Sequence, residues 1–514
     1  LEEDAAGHDG SAARVLASLA LQSYGAWTLT LPDGSLPRSL PASLRDDPRA
    51  LGSWPIRELD GDAPGFVLSV GAGSSLVPHA LARLAQAIGE HPGCDVVYCD
   101  EDVAEGSGNG SVALKPGFSQ DLLWAHPFTG DLLAVRFSLM EPDEEPPSDP
   151  VSLYDLALRA TQRGRSVVHL AEVLVHTARP SQPLPYEAGR AALERTLGQL
   201  GVRARVEPGP FEGSFSLARR SSTPPKVGIV IPFRDAAAML ANCLGSISTG
   251  SGRYETEIVL VDNGSVEPET TALLDRLAQD PGIVIVEHAA AFNWSALNNL
   301  GASTCDSDLL LFLNNDTQLR HRDSIEVLAQ QALRPEVGVV GARLLYPDGS
   351  IQHAGIVLGM RGIAWHIFMG MPEGQTGYLG LDRLPRQMSA VTGACMMTGR
   401  EAFESLSGFD ETLEVAFNDV DYCMRATQAG YRVLYEPRAE LTHFEAISRG
   451  MAGYMDDARR FLARWDRSFL REDPFYNPNL SREVPWCALR QPGEDERWEA
   501  VIDALSGAPA AGLG

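Results

Sequence analysis

Between residues 227 and 313, short apolar runs alternate with longer amphipathic stretches. The runs at 227–231, 257–261, 284–287 and 309–313 are aliphatic and too short for helices, whereas 236–248 and 269–279 place apolar residues at helical spacing. A further helix leads into the run Leu309-Leu310-Leu311-Phe312-Leu313, which has no polar alternation and so predicts a strand buried on both faces. Such β/α alternation with short connections predicts an α/β fold: a doubly wound, mainly parallel sheet with helices on both faces. Each predicted strand stops in polar or turn residues, namely Pro232-Phe233-Arg234-Asp235, Asp262-Asn263-Gly264-Ser265 and Asn314-Asn315-Asp316. Ligands of open α/β sheets lie outside the carboxyl ends of the strands, so these three ends predict a cleft.

Length and composition add domain boundaries and exclusions. At 514 residues the chain is expected to hold more than one domain. The turn-rich segments Glu207-Pro208-Gly209-Pro210 and 219–225 predict a division into a first domain at 1–213, a second at 226–484, and a partly disordered extension at 485–514. A net charge of −26, from 42 basic and 68 acidic residues, argues against nucleic acid as a partner. No apolar run reaches the roughly 18 residues of a membrane span, and Leu1-Glu2-Glu3-Asp4 has neither the basic start nor the apolar core of a signal peptide. The expected location is the cytoplasm, with peripheral contact at the inner face of the membrane allowed. The seven scattered cysteines lack metal-ligand spacing and read as small core residues.

The strand ends belong to a longer ordered pattern. After Val259-Leu260-Val261-Asp262-Asn263-Gly264-Ser265 come Phe292-Asn293-Trp294-Ser295-Ala296-Leu297-Asn298-Asn299-Leu300-Gly301 and Phe312-Leu313-Asn314-Asn315-Asp316. Val391-Thr392-Gly393-Ala394-Cys395, Gly408-Phe409-Asp410-Glu411 and Phe417-Asn418-Asp419-Val420-Asp421-Tyr422 follow. In order and spacing this pattern resembles the inverting glycosyltransferase family 2, over 227 to roughly 481. The resemblance implies a GT-A fold and an enzyme that moves a sugar from a UDP-, dTDP- or GDP-linked donor to a hydroxyl.

The chemistry fits those residue types. Negative charge builds on the departing diphosphate, which a divalent cation, Mn2+ or Mg2+, would stabilise. The resemblance makes Asp316 and the late His443 its ligands. The family's metal motif is commonly Asp-x-Asp, and Asn314 stands here at its first position, a neutral and weaker donor. A second reading of Asp316-Thr317 is a cap for a helix at 322–331. Donor contacts are expected from Pro232, Phe233, Arg234, Asp262, Asn263, Asn293, Asn299, Asn314 and Asn315. Asp262-Asn263-Gly264 is also ordinary turn chemistry. The acceptor proton needs a general base, and Asp419 matches the family's position. Acceptor contacts are expected from His353, Trp365, His366, Gly393 and Asp421, the last of which could instead cap its helix. Arg449 and Gly450 read as a loop that closes on the diphosphate.

The first half repeats the theme without its carboxylates. The stretch 65–81 resembles the strand, metal motif and helix of the same family, yet Gly71-Ala72-Gly73 stands where acids would be, and Leu153 aligns with the base. Too few residues precede it for a nucleotide-binding half. A truncated, non-catalytic GT-A-like domain is expected, and Asp100-Glu101-Asp102 reads as a solvated turn or a second metal site. Resemblance to tandem-domain enzymes of O-antigen and capsule assembly, including the ending Asp473-Pro474-Phe475-Tyr476-Asn477-Pro478-Asn479-Leu480-Ser481, implies a glycan or lipid-linked glycan acceptor on the bacterial surface. Partner glycan-assembly enzymes are a further expectation. The competing classes are a catalytically inactive glycan-binding or scaffold protein and a nucleotidyltransferase. The latter lacks a basic, Gly-rich loop after the first strand.

Overall fold

A computed structural model describes residues 9–27, 30–31, 52–53, 65–71, 73–103, 112–140, 147, 149–164, 166–177, 183–219, 224–248, 254–445 and 451–506. The chain forms two compact units, Leu1–Arg219 and Arg220–Gly514.

In the second unit, four strands run parallel in the order Ile283–Glu287, Glu255–Asp262, Lys226–Phe233, Leu309–Leu313. The helices Ala237–Ser248, Pro268–Leu277 and Trp294–Thr304 make the crossovers that parallel pairing requires. Beyond Leu309–Leu313 the sheet turns mixed. Cys395–Gly399 lies antiparallel between Leu309–Leu313 and Val337–Leu345, Arg432–His443 runs parallel to Val337–Leu345, and the short Thr317–Leu319 closes the order antiparallel to Arg432–His443. All five residues of Leu309–Leu313 are buried, as the unbroken apolar run predicts. Asn314, Asn315 and Asp316 do not lead into a helix. They form a tight turn into Thr317–Leu319, and the next helix, Ser324–Ala332, starts after Asp323, so Asp316 is no cap.

The first unit repeats the mixed half of that sheet. Its strands lie in the order Phe66–Val70, Leu132–Arg136, Val96–Val103, Val167–Thr177, Ser75–Leu76, with the same sequence of antiparallel, antiparallel, parallel and antiparallel pairings. Among the described residues it has no counterpart of the three outer parallel strands. The register fixes equivalent positions. Ser75 pairs with His176 as Thr317 pairs with His443, and Val70 pairs with Leu132 as Leu313 pairs with Cys395. Ser74 therefore corresponds to Asp316, His176 to His443, and Gly130 to Gly393. The helix Pro150–Arg163 corresponds to Asn418–Gln428, since Asp155 and Arg159 form a one-turn ion pair of 2.8 Å matching the 2.7 Å pair of Asp421 and Arg425. Leu153 precedes Asp155 by two, as Asp419 precedes Asp421.

Candidate active site

The donor side is built from the ends of the parallel strands. Pro232 and Phe233 are buried and Arg234 is exposed. Asp235, at φ 55°, turns its carboxylate to accept from the backbone N–H groups of Val266 and Glu267 at 2.7 and 2.8 Å, which holds its pKa below the usual carboxylate range. This clips the two loops together. Asp262 Oδ1 accepts from both the backbone N–H and the hydroxyl of Ser265, at 2.8 and 2.7 Å, so the turn chemistry is present and Oδ2 is the oxygen left for a ligand. The Asn263 amide donates to the carbonyls of His288 and Ala290, both at 2.9 Å, and so braces the neighbouring loop.

The turn at 314–316 is tied down on two sides. Asn314 N–H donates to the Ala394 carbonyl at 3.0 Å, and its side-chain oxygen accepts from Trp294 Nε1 at 3.3 Å. Asn315 is half-buried at the turn. Thr317 pairs with His443, and this register brings His443 Nε2 to 3.1 Å from Asp316 Oδ1. His443 is buried, and its Nε2 makes no hydrogen bond. Nδ1 lies 2.5 Å from Gln352 Oε1, an acceptor, so Nδ1 carries a proton, and in the neutral ring this leaves the Nε2 lone pair facing the carboxylate. Two electron-rich atoms facing each other at that distance fit a shared divalent cation. Among the described residues no cluster of three or more His, Cys, Asp or Glu side chains is arranged to hold a metal. The remaining positions around such an ion would fall to donor phosphate and water.

Asp419 sits in the first turn of Asn418–Gln428. Its Oδ2 accepts from Gly393 N–H at 2.9 Å and its Oδ1 from Val420 N–H at 2.8 Å. A Cβ on Gly393 would fall 2.7 Å from the Trp294 ring, so glycine is needed to seat the indole and leave its N–H on Asp419. Gly393 thereby orients the Asp419 carboxylate. Asp316 and Asp419 are linked through the adjacent residues Gly393 and Ala394, one bonded to each carboxylate's element.

Several other expected ligands are scaffold. Asn293 caps the helix Trp294–Thr304 by accepting from Ala296 N–H at 3.0 Å and donates to the Glu411 carbonyl at 2.8 Å. Asn299 donates to the Phe409 carbonyl and accepts from Phe409 N–H, both at 2.9 Å. Both amides have their partners in the 409–411 loop, not in the cleft. Asp421 is fully enclosed between Arg425 Nε at 2.7 Å, Trp465 Nε1 at 3.1 Å and Arg464 Nε at 3.3 Å, and cannot touch an acceptor. His353 is also fully buried, not surface-exposed. It accepts from Thr392 N–H at Nε2 and, with its pKa held well below the ordinary value by burial, donates from Nδ1 to His366 Nδ1 at 2.9 Å. His366 remains partly exposed, and so does Trp365, over whose ring the Arg361 guanidinium lies at 4.8 Å. Arg449 and Gly450 fall outside the described residues.

Nothing local in the sequence marks the parts that Trp294 and Gln352 play. Gln352 lies beside His353 on the strand Ile351–His353, and successive strand residues face opposite ways, so it is Gln352 whose side chain meets His443.

In the first unit the equivalent centre is filled from within. Asp100-Glu101-Asp102 is neither a solvated turn nor an open acid cluster but the end of the strand Val96–Val103, with Asp100 2.8 Å from His169 Nε2 and Asp102 2.5 Å from His176 Nδ1. The buried Lys115 ammonium donates to Glu101 at 2.9 Å, the Thr129 carbonyl at 2.8 Å and the Cys99 carbonyl at 2.7 Å. Its Nζ packs directly on Gly130, the counterpart of Gly393.

Residues 228–407 match glycosyl transferase family 2. The chain is 34% identical to the O-antigen biosynthesis protein RfbC of Myxococcus xanthus, over 96% of this chain and 41% of that protein. It is 33% identical to an uncharacterized protein of Sinorhizobium fredii, over 94% of this chain and 57% of that one. Against the N-acetylglucosaminyl-diphospho-decaprenol L-rhamnosyltransferase of Mycobacterium tuberculosis it is 28% identical over 41% of this chain and 73% of the enzyme. The chain thus spans about half the length of the first two relatives. The second unit of this chain carries a glycosyltransferase family 2 domain, built on a mixed α/β sheet.

Proposed function

We propose that the second unit transfers a sugar, with inversion, from a nucleotide-diphosphate donor to a hydroxyl of a bacterial surface glycan or its lipid-linked precursor. The carrying observation is the His443–Asp316 pair at the end of the central strand, set one hydrogen-bonded segment from Asp419. Asp262 Oδ2 would meet the nucleoside, Asp316 and His443 would hold a divalent cation, and Asp419 would take the acceptor proton. As the hydroxyl oxygen bonds to the anomeric carbon, the bond from that carbon to the diphosphate oxygen breaks. The cation supplies charge neutralisation on the leaving group. Surface-glycan acceptors are supported by the likeness to the O-antigen protein. Among the described residues no helix is long and apolar enough to cross a membrane. Calorimetry with UDP, GDP and dTDP, each with and without Mn2+, is expected to give binding of one nucleotide that depends on the metal. His443→Ala should weaken it by about tenfold or more, roughly 1.4 kcal/mol. Absence of binding to all three with metal present would favour the scaffold reading instead.

The first unit acts as a non-catalytic copy. Serine replaces Asp316, leucine replaces Asp419, and an internal ammonium occupies the centre, while the structural pair Asp155–Arg159 is kept. Lys115→Met should leave the partly buried Glu101 without its buried cation and cost about 3–5 kcal/mol of that unit's stability. Denaturant unfolding of the whole chain, followed by hydrogen exchange in 96–136, is the measurement; unchanged protection there would remove the ammonium from this role.

A further inference from the structure

Gln352 has no role in the reading above, yet its amide is held at both ends. Its Nε2 lies 3.1 Å from Glu445 Oε2, a carboxylate that only accepts, so the NH2 must point there and the carbonyl oxygen toward His443. Tyr346 completes the clamp with hydrogen bonds to both Glu445 and Gln352; burial and the Glu445 carboxylate push its phenol up to about 12, so it stays a donor at neutral pH. The strand Ile351–His353 pairs with Val337–Leu345 across a register shift at Leu344 and Leu345, and Gln352 reaches His443 from it across 2.5 Å.

An amide free to rotate could present either its oxygen or its NH2 to the imidazole. With NH2 facing Nδ1, the ring would carry its proton on Nε2 and could not bind a cation there. With the oxygen facing Nδ1, the lone pair is on Nε2, beside Asp316.

We propose that Gln352, oriented by Glu445 and Tyr346, is a positioning residue that fixes the Nδ1–H tautomer of His443 and so prepares Nε2 as a metal ligand. The inference rests on the metal reading of Asp316 and His443. It predicts that Gln352 acts on cation affinity and hardly on chemistry once the cation is bound. It also accounts for a buried Nε2 that makes no hydrogen bond although Asp316 Oδ1 lies 3.1 Å away.

The test is Mn2+ binding to the full chain with saturating nucleoside diphosphate, by calorimetry and by electron paramagnetic resonance of free Mn2+, in the parent, Gln352→Leu and Glu445→Ala. Loss of a hydrogen-bond partner behind a metal-bound histidine typically weakens affinity by about 10–100-fold, and that is the result expected for Gln352→Leu. Glu445→Ala, an exposed change that spares the fold, should show a smaller loss in the same direction, because the amide regains its freedom to flip. In activity, the Mn2+ concentration for half-maximal rate should rise while kcat at saturating Mn2+ stays near the parent's. Parental Mn2+ affinity in both variants would overturn the proposal and leave the metal site standing. No Mn2+ binding by the parent would overturn both. Should Gln352→Leu fail to fold, the outcome for Glu445→Ala decides: weakened Mn2+ binding supports the tautomer lock, and parental binding refutes it.

Discussion

Asp419→Asn is expected to lower sugar transfer by about 10²–10⁴-fold, the usual contribution of a positioned general base, while binding of nucleoside diphosphate with Mn2+ stays at the parent's level. The amide keeps the size of the carboxylate, and its one oxygen can still accept from Gly393 N–H, which now holds Oδ2 at 2.9 Å, at the cost of the bond from Val420 N–H, so the 391–395 segment and the Trp294 ring should remain in place. What is lost is the capacity to take a proton from the attacking hydroxyl. Release of nucleoside diphosphate from the matched donor, with a lipid-linked glycan as acceptor, measures the rate, and calorimetry measures binding. Turnover equal to the parent's would take Asp419 out of the reaction. A parallel fall in binding would instead show that the carboxylate shapes the donor site.

Two residues further on, the same type of change should fail in another way. Asp421→Ala is expected to cost about 3–5 kcal/mol, because removing one member of a buried ion pair leaves its partners without their charge. Arg425 would lose the carboxylate at 2.7 Å, and Trp465 Nε1 its acceptor at 3.1 Å. Arg425 also donates to the carbonyls of Leu406 at 2.6 Å and Gly408 at 2.9 Å, so the damage should reach the loop that Asn299 braces. At roughly 2–4 °C per kcal/mol for a domain of this size, the unfolding midpoint should drop by on the order of 10 °C. Calorimetric scanning checks this, and any activity surviving at low temperature should retain the parent's KM. A midpoint within a degree or two of the parent's, with a raised acceptor KM, would return Asp421 to the acceptor site. In the first unit, where Leu153 stands at the position of Asp419, the equivalent pair Asp155–Arg159 is kept.

Much of this could be read along the chain because it is local. The Leu309–Leu313 strand, its abrupt polar end and the β/α alternation before it depend on side-chain type and spacing, and the structure keeps all of them; in the first unit the register moves the place of the lost acid from Gly71-Ala72-Gly73 to Ser74. Asp316 and His443 were also legible as a pair, through the resemblance. Where the sequence reading went astray, the residues are polar side chains whose partners lie far along the chain. Asn299 meets Phe409 across 110 residues, and Asn293 meets Glu411 across 118. An amide in a motif looks the same whether it holds a ligand or a loop. His353 and Gln352 differ only by the alternation of a three-residue strand, and a register shift beside them decides which face meets His443.

The sequence by itself determined the fold class, the polar strand ends and the identity of the acids, since periodicity and residue chemistry are carried by neighbours. Only the tertiary structure decided which acids are open to a ligand and which are locked into the scaffold. Asp419 and Asp421 are the same residue two positions apart on one helix, and they face different surroundings: one meets a backbone N–H at the cleft, the other two arginines and an indole in the interior. Burial and pairing are properties of the packed chain, and no stretch of sequence records them.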